Sequence, residues 1–358
     1  MKIIDRYIIK KFLGTFLLSM VLIIVIVVVF DISEKLDDFV AKEAPLKAIV
    51  FDYYFNFIPF FVNLFSPLFT FIAVIFFTSK MATRMEIVAI LSSGVSYNRL
   101  LRPYMISATV IAILSLLLNN FVIPHATKNQ IAFEDIYIKN QFYNRDRNIH
   151  LQIAPNNYIY LERYNTNENT GYKFSIEKFT EGKLYYKLIS ENIKWDSLKN
   201  NWKINNFYIR TINGMDESIR KGASLDTVLA FTPEEFGRKD NTTGTMDYFE
   251  LNEFIASEKL KGADNIEFAE IEKYKRTAFP FATFILTLIG VSIASRKIRG
   301  GIGMHIGLGI LISFTFILFM QVSTTFAAGG LVSPLIAVWI PNFLFSFLAW
   351  FLLSKAQK

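Results

Sequence analysis

The stretch Ser79–Gly94, SKMATRMEIVAILSSG, lies between two long apolar runs at about residues 48–77 and 104–122. Its first half carries too much charge to lie within lipid, and its second half is more apolar than an ordinary solvated loop. Gly94 is typical of a residue that ends a helix. The stretch therefore predicts a short amphipathic helix that connects two membrane-spanning helices.

Similar apolar runs recur along the chain of 358 residues, 52% of which are hydrophobic. A helix needs roughly 20 consecutive apolar residues to cross the hydrocarbon core of a membrane. Long enough runs occur at about residues 12–30, 48–77, 104–122, 277–294, 302–328 and 332–353. The first is longer than the core of a signal peptide, and no small-x-small cleavage site follows it. The sequence thus predicts a polytopic α-helical membrane protein with six transmembrane helices.

The positive charges predict the orientation of these helices, because Lys and Arg accumulate in loops that face the cytoplasm. Basic residues precede the first run, follow the second and connect the fourth to the fifth, whereas the segment after the first run is acidic on balance. The residues concerned are Lys2, Arg6, Lys10, Lys11, Lys80, Arg84, Arg99, Arg102, Arg296, Lys297 and Arg299. We expect both termini to be cytoplasmic and residues 124–276 to lie on the opposite, periplasm-like side.

The region 124–276 has a different pattern of hydrophobicity. Apolar and polar residues alternate as in half-buried strands, and Asn- and Gly-rich breaks separate the alternating segments. These segments are NYIYLERY (157–164), YKFSIEKF (172–179), KLYYKLISENIKW (183–195) and WKINNFYIRTI (202–212). Trp195 and Trp202 flank the break DSLKNN, which predicts a hairpin. We predict one extracytoplasmic β-jelly-roll or sandwich domain between helices 3 and 4.

Two amphipathic helices, within residues 246–262 and 266–276, are predicted to lead back to the membrane. The predicted organisation is helices 1–3 in residues 1–123, with the connecting helix at about 79–94, the β domain and return helices in residues 124–276, and helices 4–6 in residues 277–358. The alternative for the β domain is a passive soluble cap, because it contains no motif typical of an active site.

Composition restricts the function of the chain. The absence of Cys excludes disulfides and thiolate metal sites, and only three His are present. The phosphate-binding pattern Gly-x-x-x-x-Gly-Lys-Ser/Thr and the nucleophile pattern Gly-x-Ser-x-Gly are both missing. We therefore predict no catalytic residues, no metal or cofactor, no nucleic acid partner, and no nucleotide hydrolysis by the chain itself.

The predicted spans carry almost no charge, which argues against a proton- or ion-coupled carrier. Asp52 and His305 lie near the ends of their runs, and we interpret both as interfacial residues that reach water. If the chain moves a substrate, the free energy must come from another protein.

The stretch 79–94 offers a surface for such a partner. On a helix its apolar and small residues fall on or near one face, with the charged residues toward its start. The face consists of Met81, Met85, Val88, Ala89 and Ser92. An apolar face of this kind fits a groove in a partner protein, and a helix lying on the lipid surface is the alternative. The missing phosphate-binding loop and the uncharged spans favour docking to a separate ATPase.

Four segments of the chain resemble the LptF/LptG family, the permease subunits of the lipopolysaccharide-transport ABC exporter. The segments are DRYIIKKF (5–12), RMEIVAILSSG (84–94), KYKRTAFPFATFILTLIGVSIA (273–294) and GGLVSPLIAVWIPNFLF (329–345). The beginning DRYI favours the LptG type. The six spans and the large insert after the third span agree with this resemblance.

The resemblance implies a place in the inner membrane of a Gram-negative bacterium. It implies a heterodimer with a homologous permease, two copies of a cytoplasmic ABC ATPase, lipopolysaccharide as substrate, and a periplasmic bridge protein that receives it. One alternative is a membrane-anchored β-domain scaffold or lipid-binding protein without transport activity. Another is a membrane enzyme acting on lipid headgroups, which would need clustered acids or His near one interface.

The resemblance also assigns roles to residues. Glu86 would be the carboxylate that meets the ATPase, with Arg84, Met85 and Ile87 beside it. The candidates for contact with anionic headgroups are Lys35, Lys42, Lys47 and Lys128, with lipid-facing solvation as the alternative. The motif formed by Gly303 and Gly307 would allow close helix packing in a lateral gate, or static packing alone. Where family members carry a basic residue near the end of the first span, this chain has Asp31.

Overall fold

The computed structural model describes residues 2–138, 147–229, 231–236, 242–261, 266–295 and 301–356. Three of the basic residues that predict the orientation lie outside the described residues, namely Arg296, Lys297 and Arg299. The chain divides into two compact units. The helical unit contains residues 1–138, 243–251 and 267–358, and the β unit contains residues 139–242 and 252–266.

The helical unit confirms the six predicted spans, because six of its helices are long and apolar enough to cross a membrane. The first span is α1 (Ile3–Ala41). The second consists of α2 (Leu46–Ala48), a π-helical turn (Ile49–Tyr54) and α3 (Phe55–Thr83). The third consists of α5 (Tyr97–Leu117), a π-helical turn (Leu118–Val122) and α6 (Ile123–Tyr137). The short α4 (Glu86–Ser92) connects the second span to the third. The last three spans are α9 (Ile266–Ala294), α10 (Gly301–Ala328) and α11 (Pro334–Ala356).

The spans differ in how deeply they are buried within the chain. Of the most apolar window of α9, 67% is buried, against 17% for α1. One core cluster joins α3, α9, α10 and α11 through residues such as Phe71, Leu286 and Phe316. At Gly290 of α9, an added Cβ would lie only 2.9 Å from Val74 Cγ1 and 3.0 Å from the Phe71 ring. Glycine therefore lets α9 approach α3 closely.

Proline inside a span frees a carbonyl that another helix can satisfy. Pro341 of α11 has no N–H and cannot bond the carbonyl of Ala337 one turn earlier. The Ser323 hydroxyl of α10 donates to that Ala337 carbonyl. A helix-breaking residue thus creates a hydrogen bond between α10 and α11.

Two short helices, α7 (Thr242–Thr245) and α8 (Tyr248–Lys261), precede α9. The prediction of an amphipathic helix within residues 246–262 matches α8. The predicted second return helix, at 266–276, is not separate, because it forms the first turns of α9 and continues into the fourth span. Its amphipathic pattern and the apolar run after it share one helical period, so nothing interrupts the helix between them.

The β unit confirms a strand-rich insert between the third and fourth spans. Its strands are β1 (Arg147–Ala154), β2 (Asn157–Asn165), β3 (Thr170–Thr180), β4 (Lys183–Asp196), β5 (Asn201–Asn213) and β6 (Asp216–Thr227). They form one antiparallel sheet in which each strand pairs with the next. This up-and-down order is simpler than the two Greek keys of a jelly roll. Trp195 pairs with Trp202 across the β4–β5 turn, which confirms the predicted hairpin.

The alternation of buried and exposed residues breaks along one row of the sheet, formed by Glu162, Lys173, Glu191 and Asn206 and called the bend row below. At this row two residues, instead of one, separate consecutive buried side chains in each strand. The flanking buried pairs are Leu161 and Tyr164, Gly171 and Phe174, Ser190 and Ile193, and Ile204 and Phe207. Lys173 and Asn206 adopt φ values of 50° each, and each strand contributes one residue to the row, so no strand gains an extra residue there. The same face of the sheet therefore stays buried on both sides of the row.

Candidate coupling site

The predicted connecting helix is shorter than the stretch 79–94. Residues up to Thr83 complete α3, and α4 contains only Glu86–Ser92. Met85 forms the corner between the two helices in a left-handed conformation with φ 59°, which costs a residue with a Cβ on the order of 1 kcal/mol. Gly94 has φ 87° and lies just after the end of α4, as predicted. We call residues 84–99, from this corner to the first turn of α5, the coupling segment.

The two faces of α4 have different surroundings. Ile87 is 1% exposed and packs into the core cluster that also contains Phe12 and Tyr104. On the other face, Met85 is 49% and Val88 56% exposed. Ile87 thus anchors α4 to the bundle, while Met85 and Val88 form an apolar surface that the chain does not cover.

The structure exposes four of the five residues of the predicted apolar face. Met85, Val88, Ala89 and Ser92 are all exposed. Met81, the fifth residue of the predicted face, belongs to α3 and is buried. The corner at Met85 separates Met81 from this face, whereas an unbroken helix would place the two residues together.

Glu86 connects α4 to the beginning of α1. The Tyr7 hydroxyl donates to Glu86 Oε2 at 3.0 Å. Arg84 Nη1 lies 4.0 Å from Glu86 Oε1. The Glu86 side chain keeps about a third of its surface exposed, at 30%. One side of this carboxylate is therefore occupied within the chain, and the other faces out beside Arg84.

A second polar contact joins α1 to the far end of the coupling segment. Arg99 donates from Nη1 to Asp5 Oδ1 and from Nη2 to Asp5 Oδ2, each at 2.7 Å. The Lys2 backbone N–H also donates to Asp5 Oδ2, at 2.9 Å. Asp5 is buried, and such a two-bond ion pair fixes orientation as well as distance. The sequence gives no signal that Asp5, Tyr7 and Arg99 form a unit, because 94 positions separate Asp5 from Arg99.

Lys35, predicted to meet lipid headgroups, already has a counter-charge. Its Nζ lies 2.8 Å from Asp31 Oδ1 and donates to the Tyr53 hydroxyl. The hydroxyls of Tyr53 and Tyr54 donate to Asp31 at 3.2 and 3.1 Å. A headgroup phosphate would have to replace Asp31 to contact Lys35 fully.

Lys128 also has a counter-charge within the chain. Its Nζ donates to both carboxylate oxygens of Glu250, at 3.0 and 3.2 Å. The Asp247 backbone N–H and then the Lys128 ammonium lower the pKa of Glu250 below its ordinary value. Of the other two predicted lysines, Lys47 is exposed and Lys42 is partly exposed. Contact of these four lysines with lipid stays a prediction.

Gly303 and Gly307 face open space, because nothing lies within 4 Å of a Cβ added at either position. The glycine of α10 that packs closely within the chain is Gly309, where a Cβ would lie 2.5 Å from Ile75 Cδ1. Packing at Gly303 and Gly307 would therefore need another chain, and it stays a prediction.

The interpretation of His305 as a residue that reaches water is wrong, since it is 3% exposed. Its Nδ1 lies 2.5 Å from the hydroxyl of Ser79, in the last turns of α3. Gly303 and Gly307, which flank His305, are exposed, whereas the His305 ring is turned inward against α3.

The family model for the lipopolysaccharide export system permease LptF/LptG matches residues 6–355, nearly the whole chain. The chain belongs to the LptF/LptG family. No individually curated protein matches it. Membership and the six apolar helices make it a multi-pass inner-membrane protein and a permease of the lipopolysaccharide export system. The model covers both family types, so the preference for LptG over LptF stays a prediction.

Proposed function

We propose that this LptF/LptG-family chain is a non-hydrolysing subunit that extracts lipopolysaccharide from the inner membrane and passes it to a periplasmic bridge protein. A separate cytoplasmic ABC ATPase supplies the energy. The observation that carries the proposal is the uncovered apolar face of α4 beside Arg84 and Glu86, on a helix that Ile87 anchors in the bundle. An exposed apolar face next to a charge suits insertion into a groove of a partner.

The proposed orientation follows from the coupling segment. If α4 meets a cytoplasmic ATPase, both termini are cytoplasmic, and the β unit, inserted after the third span, is periplasmic in a Gram-negative cell. In this proposal, residues 1–123 and 277–358 form the membrane parts of the chain. Residues 124–276 form the periplasmic part, which includes the return helices.

The homologous permease is proposed to pair along the spans that this chain leaves most exposed. These are α1 and α10, with 17% and 28% of their apolar windows buried. Gly303 and Gly307 lie on the open surface of α10 and would let a helix of the partner approach closely. The exposed apolar surface of α1 and α10 also suits the acyl chains of lipopolysaccharide.

The bridge protein is proposed to join the β unit at a sheet edge. Among the described strands, β1 and β6 each pair on one side only, and most of β6 is exposed. Unpaired backbone groups at a sheet edge can add a strand from another protein.

The test of the proposal is copurification with the ABC ATPase of the same export system and release of lipopolysaccharide from proteoliposomes. Glu86→Lys and, separately, Val88→Asp should abolish both while the purified chain keeps its wild-type thermal stability. Glu168→Lys, a charge reversal in the exposed β2–β3 turn, is the matched control and should behave as wild type.

Two results would contradict the proposal. One is undiminished copurification and release by both α4 variants. The other is full activity of the isolated β unit, which would favour the scaffold alternative.

A further inference from the structure

The first turns of α1 contact both ends of the coupling segment. Tyr7 bonds Glu86 at its start, and Asp5 pairs with Arg99 at its end. The bond from the Lys2 backbone N–H to Asp5 also closes the beginning of α1, so the ion pair holds the helix itself and not a loose side chain. A displacement of α4 therefore reaches α1 through two separate polar contacts.

The rest of α1 is held on a narrow surface. A stripe of buried side chains at i, i+4 spacing, formed by Ile8, Phe12, Phe16 and Met20, packs against the neighbouring spans. No side chain is buried between residues 21 and 30. Because so little of α1 is packed, its position depends on contacts at its ends more than that of any other span does.

We propose that Tyr7, Asp5 and Arg99 are positioning residues that transmit the movement of α4 to α1. The inference rests on the proposed function, in which an ATPase displaces α4. A hydroxyl–carboxylate bond and a two-bond ion pair keep their geometry only if both partners move together. Separating the buried Asp5 from Arg99 would leave a charge without a counter-charge, which opposes their separation. A displacement of α4 thus moves α1 as a rigid body.

The absence of Cys allows the movement of α1 to be observed directly. A single Cys at the exposed Leu18, labelled with a spin label before the complex with the ATPase and second permease is assembled, reports on α1. With the wild-type background, label mobility should change between the nucleotide-free complex and the complex trapped with ATP and vanadate.

The variants Tyr7→Phe and Asp5→Asn remove one contact each while keeping the shape of the side chain. Both should copurify with the ATPase and sustain ATP hydrolysis, but lose most of the nucleotide-dependent change at Leu18. Lipopolysaccharide released per ATP should fall about tenfold, as expected for the loss of one charge-assisted hydrogen bond. The exchange Asp5→Arg with Arg99→Asp should restore much of the response, because it forms the ion pair again. A merely structural role would not predict loss of the response in variants that still bind the ATPase and sustain hydrolysis.

Tyr97→Phe is the matched control. It removes from the first turn of α5 a hydroxyl contact that leads to Ser295, at 3.2 Å, and not to α1. The label should respond in this variant as in wild type. A wild-type response at Leu18 in both Tyr7→Phe and Asp5→Asn would overturn the inference and leave the proposed function intact. Failure of the unmodified chain to bind the ATPase would overturn the proposed function itself.

Discussion

The spans α9 and α1 are both long and apolar, but they are held in place in different ways. Buried side chains such as Ala278, Ala282 and Leu286 follow α9 through the membrane, so apolar packing fixes it along its length. By contrast, α1 has one buried stripe in its first half and polar clusters at its two ends. Dense packing resists any shift, because every displacement opens voids. Polar end contacts instead tie a helix to whatever its partners do, which suits α9 to be a fixed scaffold and α1 a moving part.

The largest effect is expected at Arg276, where polar contacts and not apolar packing hold α9. The buried Arg276 donates to Glu272 Oε1 at 3.0 Å, and to the carbonyls of Met246 at 2.7 Å and Thr243 at 2.9 Å. Arg276→Met would leave these acceptors without their donor and should lower the free energy of unfolding by about 3 kcal/mol. Thermal unfolding in detergent measures the change.

Lys275→Met, one position earlier, is the control for Arg276→Met. It removes a charge of the same sign from the partly exposed side of the same helix, so its unfolding temperature should stay close to wild type. Equal losses in the two variants would show that charge, and not the three hydrogen bonds, matters at this point of α9.

A smaller effect is expected at the far end of α1, where Asp31 neutralises Lys35. Asp31→Asn keeps the shape of the side chain and removes the counter-charge. We expect a destabilisation of about 1–2 kcal/mol together with tighter binding of anionic lipid, because Lys35 becomes available. Quantifying lipopolysaccharide that copurifies with the chain tests the second part.

Lys35→Gln is the counterpart of Asp31→Asn and should bind less lipopolysaccharide than wild type. If Asp31→Asn and Lys35→Gln changed lipid retention in the same direction, the cluster would serve structure alone. The different ways in which α9 and α1 are held in place would then affect the stability of the chain and not its binding of lipid.

The packing contrast itself can be measured with two glycines. Gly290→Ala would press a methyl group into Val74 and Phe71, and we expect a loss of about 1–3 kcal/mol. Gly14→Ala in α1 meets nothing within 4 Å and should be neutral or stabilise the chain by up to about 1 kcal/mol through helix propensity. Unfolding of both variants under identical conditions gives the difference, and a destabilising Gly14→Ala would contradict the open surroundings of α1.

The smallest effect concerns pH at the pair formed by Lys128 of α6 and Glu250 of α8. The Asp247 backbone N–H and Lys128 lower the pKa of Glu250, so this carboxylate stabilises the folded chain above its ordinary pKa of 4.5. That stabilisation is lost as the pH falls through the lowered value. Because the pair is half exposed, we expect a contribution of only a few tenths of a kcal/mol. It should be absent from Glu250→Gln when unfolding is compared from pH 7 down to about pH 3.

The spans and strands could be predicted because each follows from a local rule. A membrane span requires a long uninterrupted apolar run, and a half-buried strand requires alternation. The face of α4 followed from helical spacing in the same way. Its corner did not, because a left-handed Met85 has no sequence signal comparable to that of glycine.

The contacts that join distant segments could not be predicted. Tyr7 and Glu86 lie 79 positions apart, and nothing in either local sequence indicates the other. The same holds for Lys128, whose partner Glu250 lies 122 positions away. The pair of Lys35 with Asp31 differs, because these two residues lie four positions apart on one helix. Side chains that satisfy one another across a fold are chosen by geometry, and this geometry exists only after the helices have packed.

The bend row of the β unit has a consequence for how its strands find their places. A flat sheet can slip by two residues and still present the same side chains to its core. Here the break in alternation falls at one level in four neighbouring strands, so any slip would set the break of one strand against a regular pair in the next strand. The row therefore fixes the register of the strands. A deletion of one residue in one strand can be tolerated only if the neighbouring strands lose a residue at the same level.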